Sequence, residues 1–322
     1  MDTSLISSEK LTIINICPAM FNKLIASMLP YLPKKLVWIF SKSYISGESV
    51  GDAIRVSKEL NARNIKVTID VLGEYIESLH EAETNKLEYL NLIDTAHRHG
   101  IDGNFSAKPT SFGLLIDEEA CFSHMREIVA RAASYNGFVR IDMEDSPCTT
   151  KEIELFRKLK KEYPANVGIV LQAYLKRTMD DLKSLSDLNS GETPLSIRLC
   201  KGIYIEPEAI SYKKYDEINR HFTEDLEYMF KNRIHVGIAT HDKILIENAY
   251  RLISEYSVPE HLYEFQMLYG VCPNLRQSIV DKGHTMRVYV PFGEKWFGYS
   301  TRRLKENPKM ASHIIRAIFI KG

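Results

Sequence analysis

From about residue 65 onward, short apolar runs rich in β-branched residues alternate with stretches whose apolar positions recur three and four residues apart. The runs predict strands at Val67–Val71, Asn104–Lys108, Phe138–Met143, Val167–Ala173, Ser196–Lys201, Val236–Thr240, Leu262–Met267 and Met286–Val290. The stretches between them carry helix signals. Asp117 can cap a helix whose Cys121, Met125, Ile128, Val129 and Ala132 share one face. Thr149 and Glu152 read as a capping box opening a helix that stops at Tyr163-Pro164. Asp242 precedes the periodic run Ile244, Leu245, Asn248, Ala249, Leu252. A repeated strand-then-helix order predicts an α/β fold with a parallel sheet, and eight repeats predict closure into a (βα)8 barrel of the TIM type. An open doubly wound sheet is the alternative, because pattern alone can miscount strands.

The beginning of the chain breaks the alternation. Gly47–Asn61 reads as a helix leading into the barrel, and the residues before it as helical packing arms. The expected division is an N-terminal helical segment, 1–65, and a barrel domain carrying the chemistry, 66–322.

Composition adds exclusions. The chain has 322 residues, 44% hydrophobic and 26% charged, which fits a folded globular protein and not a disordered one. Its 42 Lys and Arg balance 42 Asp and Glu, so nothing asks for a nucleic-acid partner, which would need a basic surface. The five cysteines are scattered without a CxxC, which points to thiols in a reducing compartment and not to a disulfide framework or zinc ribbon. Residues 11–40 are fairly apolar, but Lys23, Lys34, Lys35, Pro18, Pro30 and Pro33 interrupt them. The longest uncharged run there is about 12 residues, short of the roughly 20 that a spanning helix needs. Asp2 and Glu9 precede any apolar run and no basic leader is present, which argues against a secretory signal. The expectation is a cytoplasmic protein, with peripheral contact at the inner face of a membrane left open.

The common motifs for phosphate and zinc chemistry are missing: there is no GxGxxG, no GxxxxGK[ST] and no HExxH. His97 and His99 sit before Gly100, where histidines complement the end of a helix dipole. In a barrel, function collects at the C-terminal strand ends. Those ends hold Ser106 and Lys108, then Asp142, Glu144 and Asp145, then Gln172 and Tyr174. Arg198 and Lys201, Thr240 and His241, Gln266, and Tyr289 follow. Any one could be a solvated strand end, but so many together suggest convergence on something polar. After the last strand, Glu306 lies four residues from Arg302 and three from Arg303, in a stretch that can be helical up to Pro308. An exposed ion-pair cluster would look the same. Adjacent arginines also suit a carboxylate held by planar, paired hydrogen bonds, with the glutamate balancing charge or receiving an amine. An amino-acid substrate would use both.

The set IDMED, QAY, RLCKGIY, ATHD, EFQMLYG, RVYVPFGEKWFGY and RRLKENP resembles the bacterial monofunctional proline dehydrogenases, over about Gly47 to Pro308. That resemblance implies a distorted (βα)8 barrel, FAD as cofactor, and oxidation of L-proline to Δ1-pyrroline-5-carboxylate by hydride transfer to flavin N5. It further implies electrons passing to a membrane quinone and a product passing to a separate pyrroline-5-carboxylate dehydrogenase. Residue by residue, it puts Arg302 and Arg303 on the proline carboxylate, with Lys108 closing that end and Glu306 ordering the clamp. Tyr289 and Tyr299 pack near the ring. Arg198 lies near the N5 edge, Asp142 belongs to its network, and FAD also touches Met143, Gln172, Lys201, Gly202, Ile203, Thr240 and His241. The chain departs from the family where Cys200 replaces the usual valine and Asp242 the usual asparagine. Ile205 and Glu206 follow Tyr204 where many relatives carry an aromatic for adenine. A related flavin barrel acting on hydroxyproline or another cyclic secondary amine is one alternative, which the two tyrosines disfavour by crowding. A flavin-binding scaffold without turnover is the other.

Overall fold

Eight parallel strands close in sequence order: β1 Lys66–Val71, β2 Asn104–Ala107, β3 Phe138–Ile141, β4 Val167–Gln172, β5 Ser196–Cys200, β6 His235–Ala239, β7 Tyr263–Leu268 and β8 Met286–Phe292. The computed structural model describes residues 34–300. The expected barrel is therefore the one observed, and the open sheet is ruled out by β1 pairing with both β2 and β8. The chain divides into two compact units, Ser41–Trp296 on one hand and Met1–Phe40 with Phe297–Gly322 on the other. The barrel lies wholly in the first.

The helices are α1 Lys34–Ser41, α2 Val50–Asn61, α3 Leu79–Arg98, α4 Glu118–Ser134, α5 Ser146–Glu162, α6 Thr178–Ser184, α7 Tyr215–Lys231, α8 Lys243–Glu255 and α9 Pro273–Asp281. Their starts follow side-chain chemistry. Ser49 and Asp52 form a capping box on α2, Asp117 accepts from the backbone of Glu119 and Ala120 at 3.0 Å, and Asp242 accepts from Ile244 at 3.0 Å. The predicted face of α4, Cys121, Met125, Ile128, Val129 and Ala132, is fully buried. The helix expected to open at Thr149 starts earlier, because Pro147 fits the first turn after Asp145 and needs no donor. Thr149 and Glu152 thus lie inside α5 and are no capping box; Glu152 instead accepts from the Glu144 backbone at 3.0 Å. On α8, Ile244 is 56% exposed, and Ile246 takes its place beside Leu245, Ala249 and Leu252. No helix among the described residues is long and apolar enough to cross a membrane.

Apolar side chains on the outward faces of the strands meet the inner faces of the helices, among them Val67, Ile69, Val139, Ile141, Ile169, Ile197, Val236, Ile238, Val288 and Val290. The alternate positions turn into the barrel, and many of them are polar, among them Asp70, Ser106, Arg140, Arg198, Gln266 and Arg287. Bonds between strands that are not neighbours prove this, since Arg198 on β5 reaches Ser106 on β2 at 2.9 Å. Long polar side chains need room there. A Cβ on Gly168 would come within 2.3 Å of Arg140, and one on Gly237 within 2.4 Å of Gln266.

Candidate active site

The strands deliver their inward residues to one hydrogen-bonded cluster at the C-terminal end. Asp142, just past β3, accepts from Ser106 at 2.7 Å and from Arg198 at 2.8 Å through Oδ1. Its Oδ2 accepts from the Tyr289 hydroxyl at 2.9 Å. Arg198 also donates from Nε to Gln266 at 2.6 Å, and its guanidinium lies 5.3 Å from the centre of the Tyr289 ring. Lys108 follows β2 and donates to both oxygens of Asp70, at 3.0 and 2.9 Å, with the Tyr289 hydroxyl 3.4 Å away. The predicted residues Lys108, Asp142, Arg198 and Tyr289 are thus brought together.

The electrostatics are balanced by pairs. Asp70 is fully buried, and that burial, with Asp142 nearby, lifts its carboxyl to about 6 despite the facing ammonium. Burial alone would lower the Lys108 ammonium, but Asp70 and Asp142 outweigh it and hold the lysine charged. The Tyr289 phenol is pushed well up, by burial first and then by Asp142 and Asp70. It therefore acts here as a neutral donor.

The residues expected to face the cofactor lie at the ends of, and in the loops after, β3 to β6. Met143 is buried beyond Asp142. Gln172, ending β4, donates to the Glu144 carbonyl at 2.8 Å. Lys201, Gly202 and Ile203 leave β5. Gly202 holds φ at +105°, and a Cβ there would fall 2.1 Å from the Tyr174 ring, so the backbone passes directly over that ring. Ile203 is 49% exposed beside it. Thr240 Oγ1 accepts from the Asp242 backbone at 3.1 Å, and His241 Nε2 accepts from the Leu268 backbone at 3.0 Å. A flavin nucleotide fits this rim: Arg198 Nη2 is a buried polar atom without a partner among the described residues. Asp242, at the departure from the family pattern, is neutralised locally. Its Oδ2 accepts from Lys201 at 2.5 Å, Tyr215 at 2.6 Å and Asn219 at 3.2 Å. Burial opposes its ionisation, but these three donors hold the carboxyl down at about 2. Glu206 is buried and binds the Ser146 backbone and hydroxyl at 2.7 and 2.6 Å, while Ile205 is wholly exposed.

Tyr299 is buried and belongs to the other compact unit. The predicted clamp of Arg302, Arg303 and Glu306 lies outside the described residues. Ser106, Glu144 and Gln266 are among the polar strand ends read from the sequence but carry no individual role there, and Asp70 is missed altogether. Asp70 has a signal that could have found it, a lone acid in VTIDV with even spacing from Thr68, hence inward. Glu144 is buried and binds the Thr110 backbone and hydroxyl at 3.0 and 2.6 Å, fixing the turn that carries Lys108. Burial raises its carboxyl to about 7. Among the described residues no cluster of His, Cys, Asp or Glu could hold a metal ion.

The family model described as proline dehydrogenase matches residues 53–316. Proline dehydrogenase 1 of Bacillus subtilis subsp. natto is 34% identical over 281 residues, covering 87% of this chain and 91% of that protein. Proline dehydrogenase of Deinococcus radiodurans is 32% identical over 295 residues, covering 90% and 93%. Among solved structures, proline utilization A from Bdellovibrio bacteriovorus, inactivated by N-propargylglycine, superposes with a TM-score of 0.81 at 26% identity over 89% of this chain. The present chain spans 36% of the length of that one.

Proposed function

This chain belongs to the proline dehydrogenase family, and on that premise we propose a division of labour among its side chains. The protein is an FAD-dependent oxidoreductase, and the reaction it catalyses is the oxidation of proline. The observation that carries the division is the cluster in which Asp142 holds Ser106, Arg198 and Tyr289 at once.

When bound, FAD supplies the acceptor for a hydride from the ring carbon beside the proline nitrogen. Loss of that hydride and of the amine proton leaves the ring C=N of Δ1-pyrroline-5-carboxylate. Arg198 acts as a fixed cation where negative charge gathers during this step; its Nη2 is available for that, and Asp142 and Gln266 hold the rest of the guanidinium. Gln172, Lys201, Gly202, Ile203, Thr240, His241 and Met143 hold the cofactor along the strand-end loops. Arg302 and Arg303 take the substrate carboxylate with Lys108, Glu306 orders the clamp, and Tyr289 and Tyr299 shape the wall around the ring. The amine must react unprotonated, and nearby cations lower its pKa. Asp70 offsets much of the Lys108 charge.

The electrons then leave to a membrane quinone, and the product passes to a separate pyrroline-5-carboxylate dehydrogenase. The protein works in the cytoplasm, peripherally at the inner face of the membrane. A visible absorbance spectrum before and after anaerobic addition of L-proline tests the core of this reading. Flavin bands that bleach establish cofactor and substrate together. Bands that stay oxidised point to another cyclic amine, and a colourless protein that FAD cannot reconstitute overturns the cofactor. Stopped-flow reoxidation of the reduced enzyme by a quinone in lipid vesicles tests the acceptor; reoxidation no faster than without quinone rejects it.

A further inference from the structure

The mouth of the barrel opposite the active site is also built from charged residues. There the first residues of the strands, from Lys66 on β1 to Ser196 on β5 and His235 on β6, enclose a cavity of about 370 Å³. Two of the cations lining it are buried without a carboxylate among their hydrogen-bond partners. Arg140 is 2% exposed and donates to the carbonyls of Ser196 and Ile169 at 2.7 and 3.2 Å and to the Ser196 hydroxyl at 2.9 Å. Its Nε is buried and has no partner. Lys160 is 3% exposed and donates to the carbonyls of Pro164, Thr193 and Pro194. The third buried cation at this end, Arg287, is answered by Glu264 at 2.7 Å and Asp102 at 3.3 Å. Glu264 spends its Oε1 on Arg287 and Gln266, so it offsets Arg140 only from a distance.

A buried charge without a counter-ion is costly, and two in one cavity raise the cost. The direction of their ionisation records it. Burial, aided by Arg198 and Arg287 and only partly opposed by Glu264 and Asp142, lowers the Arg140 guanidinium to about 9, and burial with Arg140 lowers the Lys160 ammonium to about 8. Glu192, in the same lining, is exposed, so its charge is spent largely on solvent and not on the buried pair.

We propose that this cavity binds a small tetrahedral oxyanion of the phosphate or sulfate class, with the Arg140 side chain turning to present its buried Nε as donor and Lys160 as balancing charge. The position is remote from the chemistry at the C-terminal strand ends, so the site is structural: an anion that binds only the closed barrel stabilises it by mass action. Nothing in this proposal depends on the substrate or cofactor assignment.

The test is titration calorimetry of the FAD-saturated holoenzyme with inorganic phosphate, at ionic strength held constant with chloride. The expected result is one saturable site, weakened about tenfold in Arg140→Lys, which keeps the charge and loses the Nε donor. Lys66→Glu, at the exposed rim, should weaken it less but measurably, and decides the matter if Arg140→Lys does not fold. Phosphate should also raise the thermal midpoint of wild type more than matched chloride does. Sulfate that competes with phosphate supports the tetrahedral class. Absence of saturable heat, equal affinity in wild type and Lys66→Glu, or binding of acetate with sulfate and phosphate inert would each overturn the proposal.

Discussion

Asp142 Oδ1 accepts from Arg198 Nη1 at 2.8 Å across the barrel, joining the end of β3 to β5, and the same oxygen accepts from Ser106. One carboxylate therefore sets the plane of the guanidinium and leaves Nη2 as the group without a partner. Asp142→Asn removes the charge from this bond and keeps the shape. Its kcat/KM should fall about 10- to 100-fold, the scale of a charge-assisted hydrogen bond lost in the transition state. Flavin content, read from the ratio of visible to ultraviolet absorbance, should stay near wild type; loss of flavin instead would assign Asp142 to cofactor retention.

Asp70 and Lys108 are a pair that neither partner can leave cheaply. Lys108→Met strands a fully buried carboxylate and should cost roughly 3–5 kcal/mol of stability. Asp70→Asn in the Lys108→Met background should restore most of the thermal midpoint and none of the activity. If the double variant melted as low as the single one, the pairing would not be the source of the loss.

Asp242 gives a pH signature. Its folded carboxyl lies at about 2 against an ordinary 3.8, so it contributes stability above pH 4 that fades as pH falls toward 2. With a side chain 13% exposed, that contribution is roughly 2 kcal/mol. Asp242→Asn keeps a helix cap but loses the Lys201 ion pair. Denaturant melts should show the variant less stable at pH 6, with most of that gap gone near pH 2. A gap undiminished at pH 2 would exclude the ion pair as its cause.

Gly202→Ala places a methyl group into the Tyr174 ring at a φ of +105° that side chains rarely adopt. The loop must move. The purified variant should be deficient in FAD while its far-ultraviolet circular dichroism remains that of the barrel. Full flavin occupancy in this variant would remove the loop from the cofactor site.

The clamp is testable without reference to its surroundings. Arg302→Met or Arg303→Met should each lose about 2–4 kcal/mol in kcat/KM for proline, through the loss of a charge-assisted carboxylate contact. Wild-type steady-state kinetics in both variants would reject the assignment.

Eight strands in strand-then-helix order, and the polar residues at their ends, were legible in the amino-acid sequence by itself. Closure into a barrel in place of an open sheet was decided by β1 pairing with β8. Alternation of β-rich runs with amphipathic stretches is a local property, and so are the caps at Asp117 and Asp242. The capping-box expectation at Thr149 and Glu152 failed because the same spacing inside a helix lets Glu152 fold back onto the Glu144 backbone. Local pattern cannot tell those two uses apart. Lys108, Asp142, Arg198 and Tyr289 stood out because charge and hydroxyl at the end of an apolar run have no packing use.

Who partners whom was decided only by the tertiary structure. Closure brings Asp70, 38 positions before Lys108, and Tyr289, 181 positions after it, within hydrogen-bond reach of one ammonium. It also turns Asp242 from a charge that would oppose a pyrophosphate into one spent on Lys201, and seals Arg140 and Lys160 into the far mouth without a counter-ion. Strand pattern fixes which side of the sheet a residue faces. Register and closure fix which distant residue shares the low-dielectric interior with it, and the energy of a buried charge depends on that neighbour.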